Sequence, residues 1–110
     1  MVDRAAALAR VGGDMDLLRE IAGVFLDEYS GTLADLRKAI EAADARKVER
    51  YAHALKGCIS TFGTGPVFET ALAIEQQGRS GDLTGISQKL SELDSGLTQM
   101  TAELQALIAA

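Results

Sequence analysis

A chain of 110 residues, 47% of them hydrophobic and 25% charged, can build one modest core but not two. Its net charge of −5 argues against a broad nucleic-acid footprint, and its single cysteine excludes an internal disulfide or a cysteine-based metal cluster. The longest apolar runs fall far short of the roughly 20 residues of a membrane span, and no charged segment followed by an apolar stretch opens the chain. The expectation is therefore a single domain over residues 1–110, cytoplasmic, with neither a membrane nor a nucleic acid as partner.

With one proline and abundant Ala, Leu, Glu and Arg, the composition favours helices. Asp3 can cap a short first helix through Ala5–Val11, which Gly12-Gly13 ends. Asp14 caps the next, with Leu17, Leu18, Ile21, Val24 and Phe25 on one side, and Leu33, Leu36 and Ile40 resume the spacing beyond Gly31. This reads as one long helix to about Ala42 with Gly31 as a point of bending, the alternative being two helices with a turn there. Asp44 caps a third helix to about Phe62, on which Val48, Tyr51, Ala52, Leu55, Ile59 and Phe62 share a stripe. Gly63-Thr64-Gly65-Pro66 breaks the chain, with Pro66 suited to a first helical position. A fourth helix runs to about Gln77 with Phe68, Ala71 and Leu72 as its stripe, closed by Gly78 and Ser80-Gly81-Asp82. The last carries Leu83, Ile86, Leu90, Leu93, Leu97, Met100, Leu104 and Leu107, with Gly85 and Gly96 weakening it locally. No strand alternation and no internal repeat is present. Short connections favour antiparallel neighbours, giving an all-α, up-and-down four-helix bundle with a short extra N-terminal helix.

The sole histidine, His53, projects about 155° from the middle of the third helix's apolar stripe, so its ring should face solvent. Gly57, one turn on, costs the helix about 1 kcal/mol relative to alanine and clears the surface beside the ring. Lys56 puts a cation on the flank. On the fourth helix Glu75 and Arg79 continue the apolar stripe, an unfavourable place for a carboxylate unless it is paired or at the margin. If the two helices pack together, Glu75 could accept from His53 Nδ1–H, fixing the tautomer and leaving Nε2 as the outward nucleophile. Arg79 could then pair with Glu75 or with an incoming phosphate; the plainer alternative is a boundary salt bridge. One histidine cannot make a multi-histidine metal site, Ser60 and Thr61 lack an oxyanion arrangement, and Cys58 reads as a small semi-buried core residue. No phosphate-cradling Gly-rich loop precedes a Lys-Ser/Thr pair.

His53-Ala54-Leu55-Lys56-Gly57-Cys58, with Gly63 ten residues after the histidine, resembles the signature of histidine-containing phosphotransfer (HPt) domains. Arg10–Asp14, Phe25–Glu28, Ala43-Asp44, Glu75 and Gly78–Asp82 fit the same family in order and spacing, so the likeness spans nearly the whole chain. The resemblance implies a phosphorelay intermediate that takes a phosphoryl group from a receiver-domain aspartate onto His53 Nε2 and passes it to another receiver. Carried over, Lys56 would neutralise phosphoryl oxygens, Gly57 would leave room for the partner, Glu75 would orient the ring, Arg79 would support the charge balance, and Gly63 would be structural. The family often has Ser or Ala where Cys58 stands. With no acidic cluster for Mg²⁺ and no ATP site in the sequence, the receiver would bring the metal, leaving this chain without a cofactor or kinase activity of its own. A monomer is the default expectation. The alternatives are the phosphate-accepting domain of a chemotaxis-type histidine kinase, or a helical adaptor with an incidental histidine.

Overall fold

The computed structural model describes residues 2–63 and 65–109. Within them lie five α-helices and no strand: α1 (Arg4–Arg10), α2 (Met15–Glu41), α3 (Ala45–Phe62), α4 (Pro66–Ser80) and α5 (Ile86–Ala109). Thr64 of the expected break lies outside the described residues. Each of the first three helices starts on an aspartate. Asp3, Asp14 and Asp44 accept from the backbone N–H of Ala6, Leu17 and Lys47, supplying an oxygen to one of the unpaired amides at each helix start.

α2 runs unbroken through Gly31, which removes the two-helix alternative. Its 27 residues span about 40 Å at 1.5 Å per residue, matching the molecule's longest dimension of 41 Å. It buries Leu18, Ala22, Phe25, Leu33, Leu36 and Ala39. Leu17 and Val24, expected on the packed side, instead turn outward at 40% and 56% exposure. α3 follows the reading closely: Val48, Ala52, Leu55, Ile59 and Phe62 are buried, and Tyr51 packs at the edge.

α4 departs from expectation in two ways. Gly78 does not close it; the helix passes through to Ser80 and ends on Gly81 in the left-handed conformation at φ 81°. Its buried face is also rotated from the one read in the sequence, comprising Val67, Ala71, Ile74, Glu75 and Gly78, with Phe68 and Leu72 at the margin. The helix is wedged between two neighbours, α3 and α5. Gly78 faces the closest approach to α3, where no side chain would fit. α5 presents the expected seam, but Leu83 and Gly85 precede it in a turn, with Gly85 at φ 72°.

Helix contacts run from α2 to α3, α3 to α4, α4 to α5 and back from α5 to α2, with the α3–α4 seam the most extensive. α1 packs on α2 and α3. It also ties off the end of α3: Asp3 N–H donates to the Phe62 carbonyl at 2.9 Å, and the Arg10 guanidinium to that of Thr61 at 3.2 Å. The enclosed core is aliphatic and aromatic. Among the described residues only Glu75 and Thr101 are buried polar side chains, and the Thr101 hydroxyl donates to the Thr98 carbonyl within its own helix.

Candidate functional site

The buried carboxylate of Glu75 marks the site. At 2% exposure, an unpaired charge would carry a penalty on the order of several kcal/mol. Both oxygens are engaged instead. Oε2 lies 2.5 Å from His53 Nδ1, and Oε1 accepts from Lys56 Nζ at 2.7 Å. Arg79 Nη2 stands 3.8 Å from Oε2. Burial pushes the Glu75 carboxyl up, but the hydrogen bonds and charges of Lys56 and His53 outweigh it and hold the group below the usual carboxylate range. An ionised carboxylate can only accept, so the proton of the His53–Glu75 bond belongs to Nδ1. The His53 ring is 68% exposed, so Nε2 faces the surface, and in the neutral Nδ1–H tautomer it carries the free lone pair.

Gly78 makes this possible. A Cβ there would lie 2.5 Å from the Glu49 backbone nitrogen, 2.8 Å from its Cα and 2.9 Å from the Ala45 carbonyl oxygen. The two helices touch backbone to backbone at this point. One turn along α4, Glu75 is thereby brought within reach of two side chains on α3, three residues apart. Gly57 is different in kind: a Cβ would meet nothing within 4 Å, so this glycine leaves open surface beside the ring.

The residues singled out in the sequence thus fall into one cluster, with two revisions. Lys56 does not stand free on the flank; its ammonium is anchored to Glu75. Arg79 is exposed, and its short contact is with Glu49, whose Oε2 accepts from Nε at 2.8 Å. Glu49 was not among the expected site residues. Its signal is the matched spacing, four residues before His53 on α3 as Arg79 is four after Glu75 on α4. Two aligned i,i+4 pairs on packed helices meet as two rungs. Gly63 closes α3 in extended backbone, its N–H donating to Ile59 O.

Cys58 is exposed rather than semi-buried. It lines an apolar groove of about 440 Å³ between α2 and α3, together with Leu17, Ile21, Val24 and Leu55 and with Glu20 and Glu28 at the rim. Phe25 forms part of the lining, stacked on Tyr29 and edge-on to Phe62. Ala54, the residue after His53, also lines this groove, whereas His53 itself does not. No group of three or more His, Cys, Asp or Glu side chains suited to a metal occurs among the described residues, and no described helix is long and apolar enough to cross a membrane.

The site is a solvent-facing imidazole held by a buried carboxylate on a neighbouring helix of an all-helical fold, and the Hpt domain family pattern matches residues 20–110. The chain belongs to the Hpt domain family, a class of phosphotransfer intermediates that act with receiver domains in two-component signalling. Its fold is that of histidine-containing phosphotransfer protein B (HptB) from Pseudomonas aeruginosa PAO1. The crystal structure of HptB superposes with a TM-score of 0.86 over 96% of this chain and 91% of that one, at 18% sequence identity. No curated protein is significantly similar in sequence.

Proposed function

We propose that His53 is the phosphoacceptor of a phosphorelay, taking a phosphoryl group from a receiver aspartate and passing it to an aspartate on a second receiver. The observation that carries this reading is the 2.5 Å contact between His53 Nδ1 and a carboxylate buried to 2% exposure, with the rest of the ring outside. In the forward step the Nε2 lone pair attacks phosphorus in line. The bond from phosphorus to the aspartyl oxygen breaks, and the carboxylate leaves with the electron pair. The ring becomes cationic, its Nδ1 proton stays on the bond to Glu75, and that carboxylate offsets the new charge. Transfer onward reverses the sequence. Lys56 locks Glu75 through one N–H, and its remaining donors can face phosphoryl oxygens. Arg79 supports the charge balance, and Gly57 leaves the partner room. Mg²⁺ arrives with the receiver.

The receiver docks over the ring and the adjoining α2–α3 face, where Ala54, Leu55 and Cys58 line the apolar groove and Leu17 and Val24 stand outward. Arg46 and Arg50, exposed without an ion pair on the same side of α3, suit a carboxylate-rich partner. The scaffold for this role is an antiparallel up-and-down bundle of α2–α5 with α1 as an addition. The closed ring of helix contacts and the short connections at 42–44, 63–65 and 81–85 support it. We read residues 1–110 as one such domain, monomeric and cytoplasmic. Incubation with a phosphorylated receiver should place an acid-labile phosphate on the wild type and none on His53→Gln. Equal labelling of both would reject the assignment.

A further inference from the structure

The α3–α4 seam carries its charged groups as two rungs. His53 and Glu75 form one, and Glu49 and Arg79 form the other, one helical turn away. Arg79 Nε donates to Glu49 Oε2 at 2.8 Å, while its Nη2 stands 3.8 Å from Glu75 Oε2, the same oxygen that serves His53 Nδ1–H. The guanidinium is therefore about 1 Å short of a direct bond to that oxygen, given an ordinary charge-assisted length near 2.8 Å. Both bonds to the ionised Glu75 are charge-assisted through the carboxylate, but Arg79 is a permanent cation and the neutral ring is not, so Arg79 is the stronger competitor for Oε2 when the ring is neutral. Glu75 also already holds Lys56 on Oε1. A second close cation would leave Oε2 a poorer acceptor for Nδ1–H and less able to offset charge developing on the ring. What stands between Arg79 and Glu75 is the bond to Glu49. That residue is itself firmly placed, because its backbone N and Cα lie at the closest approach of the two helices, against Gly78.

We propose that Glu49 is a positioning residue for the phosphoacceptor histidine: by holding Arg79 Nε, it keeps the guanidinium off Glu75 Oε2 and reserves that oxygen for His53 Nδ1–H. Its consequence for transfer rests on the phosphorelay reading above; its consequence for the ring does not. The decisive measurement is the ¹⁵N NMR pattern of the His53 ring nitrogens at a pH where the ring is neutral, which reports the tautomer without any phosphate present. In Glu49→Ala, Arg79 closes on Glu75. The ring then shifts from the Nδ1–H form towards a mixture, and transfer from a phosphorylated receiver slows about tenfold, the scale expected of a nucleophile that is no longer held in place.

The double variant Glu49→Ala/Arg79→Ala removes the competitor and returns the ring to the Nδ1–H form. Glu49→Gln, whose amide oxygen still accepts from Nε, keeps it there. An unchanged tautomer in Glu49→Ala, or a double variant that retains the mixed pattern, would overturn the proposal. Arg79→Ala alone leaves the ring as in the wild type, and a shift there would overturn it equally, independently of whether Glu49→Ala folds. If no receiver phosphorylates the wild type, the phosphorelay reading fails while the ring pattern still decides the role of Glu49.

Discussion

Replacing Gly78 by alanine separates the two jobs that the α3–α4 seam performs. Alanine is the better helix former by about 1 kcal/mol, so on propensity alone the change stabilises α4. Here the added methyl would sit 2.5 Å from the Glu49 nitrogen, where ordinary contact begins at 3.4 Å, and all three near atoms are backbone, which has no rotamer to swing aside. Relief requires the helices to part by about 0.9 Å, the difference of those two distances. Overpacking of this kind costs about 3 kcal/mol at the upper end of its usual range, leaving a net loss near 2 kcal/mol. For a domain of this size that is a fall in Tm of roughly 10 °C. The same parting would stretch the His53–Glu75 and Lys56–Glu75 contacts, now 2.5 and 2.7 Å, beyond hydrogen-bonding length. Thermal melts and the His53 ring ¹⁵N pattern should therefore change together in Gly78→Ala. A variant as stable as the wild type, with the Nδ1–H tautomer intact, would refute the account of how the site is assembled.

Gly57→Ala is the opposite case. With nothing within 4 Å of the new methyl, the melt should rise by up to about 1 kcal/mol in stability, while transfer from a receiver slows because the methyl occupies the face beside the ring. Faster or unchanged transfer would count against docking over Gly57. Glu75→Gln tests the buried charge. Because the folded carboxyl is held below its unfolded range, its contribution to stability is full above about pH 4.3 and is lost as pH falls through the lowered value. The stability gap between wild type and Glu75→Gln in denaturant titrations should accordingly narrow between pH 6 and pH 3; a constant gap would show that Glu75 is not held ionised by its partners. Although Cys58 is an exposed residue, partial desolvation of its thiol in the groove, and then the Glu28 carboxylate, push the thiol up, so alkylation at neutral pH should be slow and should quicken in Glu28→Gln. An unchanged rate would place Glu28 too far from the sulfur to matter.

The helices and the histidine were legible in the sequence because both depend on local chemistry. Aspartate caps, the periodicity of α3 and α5 and the outward direction of His53 follow from one segment at a time. What could not be read depended on a neighbour. The face α4 buries is not the one its largest hydrophobes mark, because the helix must turn Gly78 to the point where its backbone meets that of α3, and this turns Val67 and Ile74 inward and leaves Phe68 and Leu72 at the margin. Gly78 looked like a helix end for the same reason; its purpose is visible only once Glu49 and Ala45 are placed against it. Lys56 and Arg79 both lie beside Glu75, yet which carboxylate each takes depends on the register of α3 against α4. Cys58 reads as semi-buried from its place near the apolar stripe, but it and the outward-turned Leu17 and Val24 border a groove that exists only once α2 lies against α3.

The knot that α1 makes at the end of α3 bears on where such a module begins. The family pattern starts at residue 20, after α1 and after the Asp14 cap of α2. Yet the Thr61 and Phe62 carbonyls, at the foot of the helix that carries His53, take their partners from Arg10 and Asp3. Ala7 and Leu18, both fully buried, also lie ahead of that boundary. A unit excised or grafted at residue 20 would carry the chemical groups intact on a helix whose last turn had lost its moorings. The portable unit is set by hydrogen-bond closure rather than by the span of the recognisable pattern, and it starts no later than Asp3.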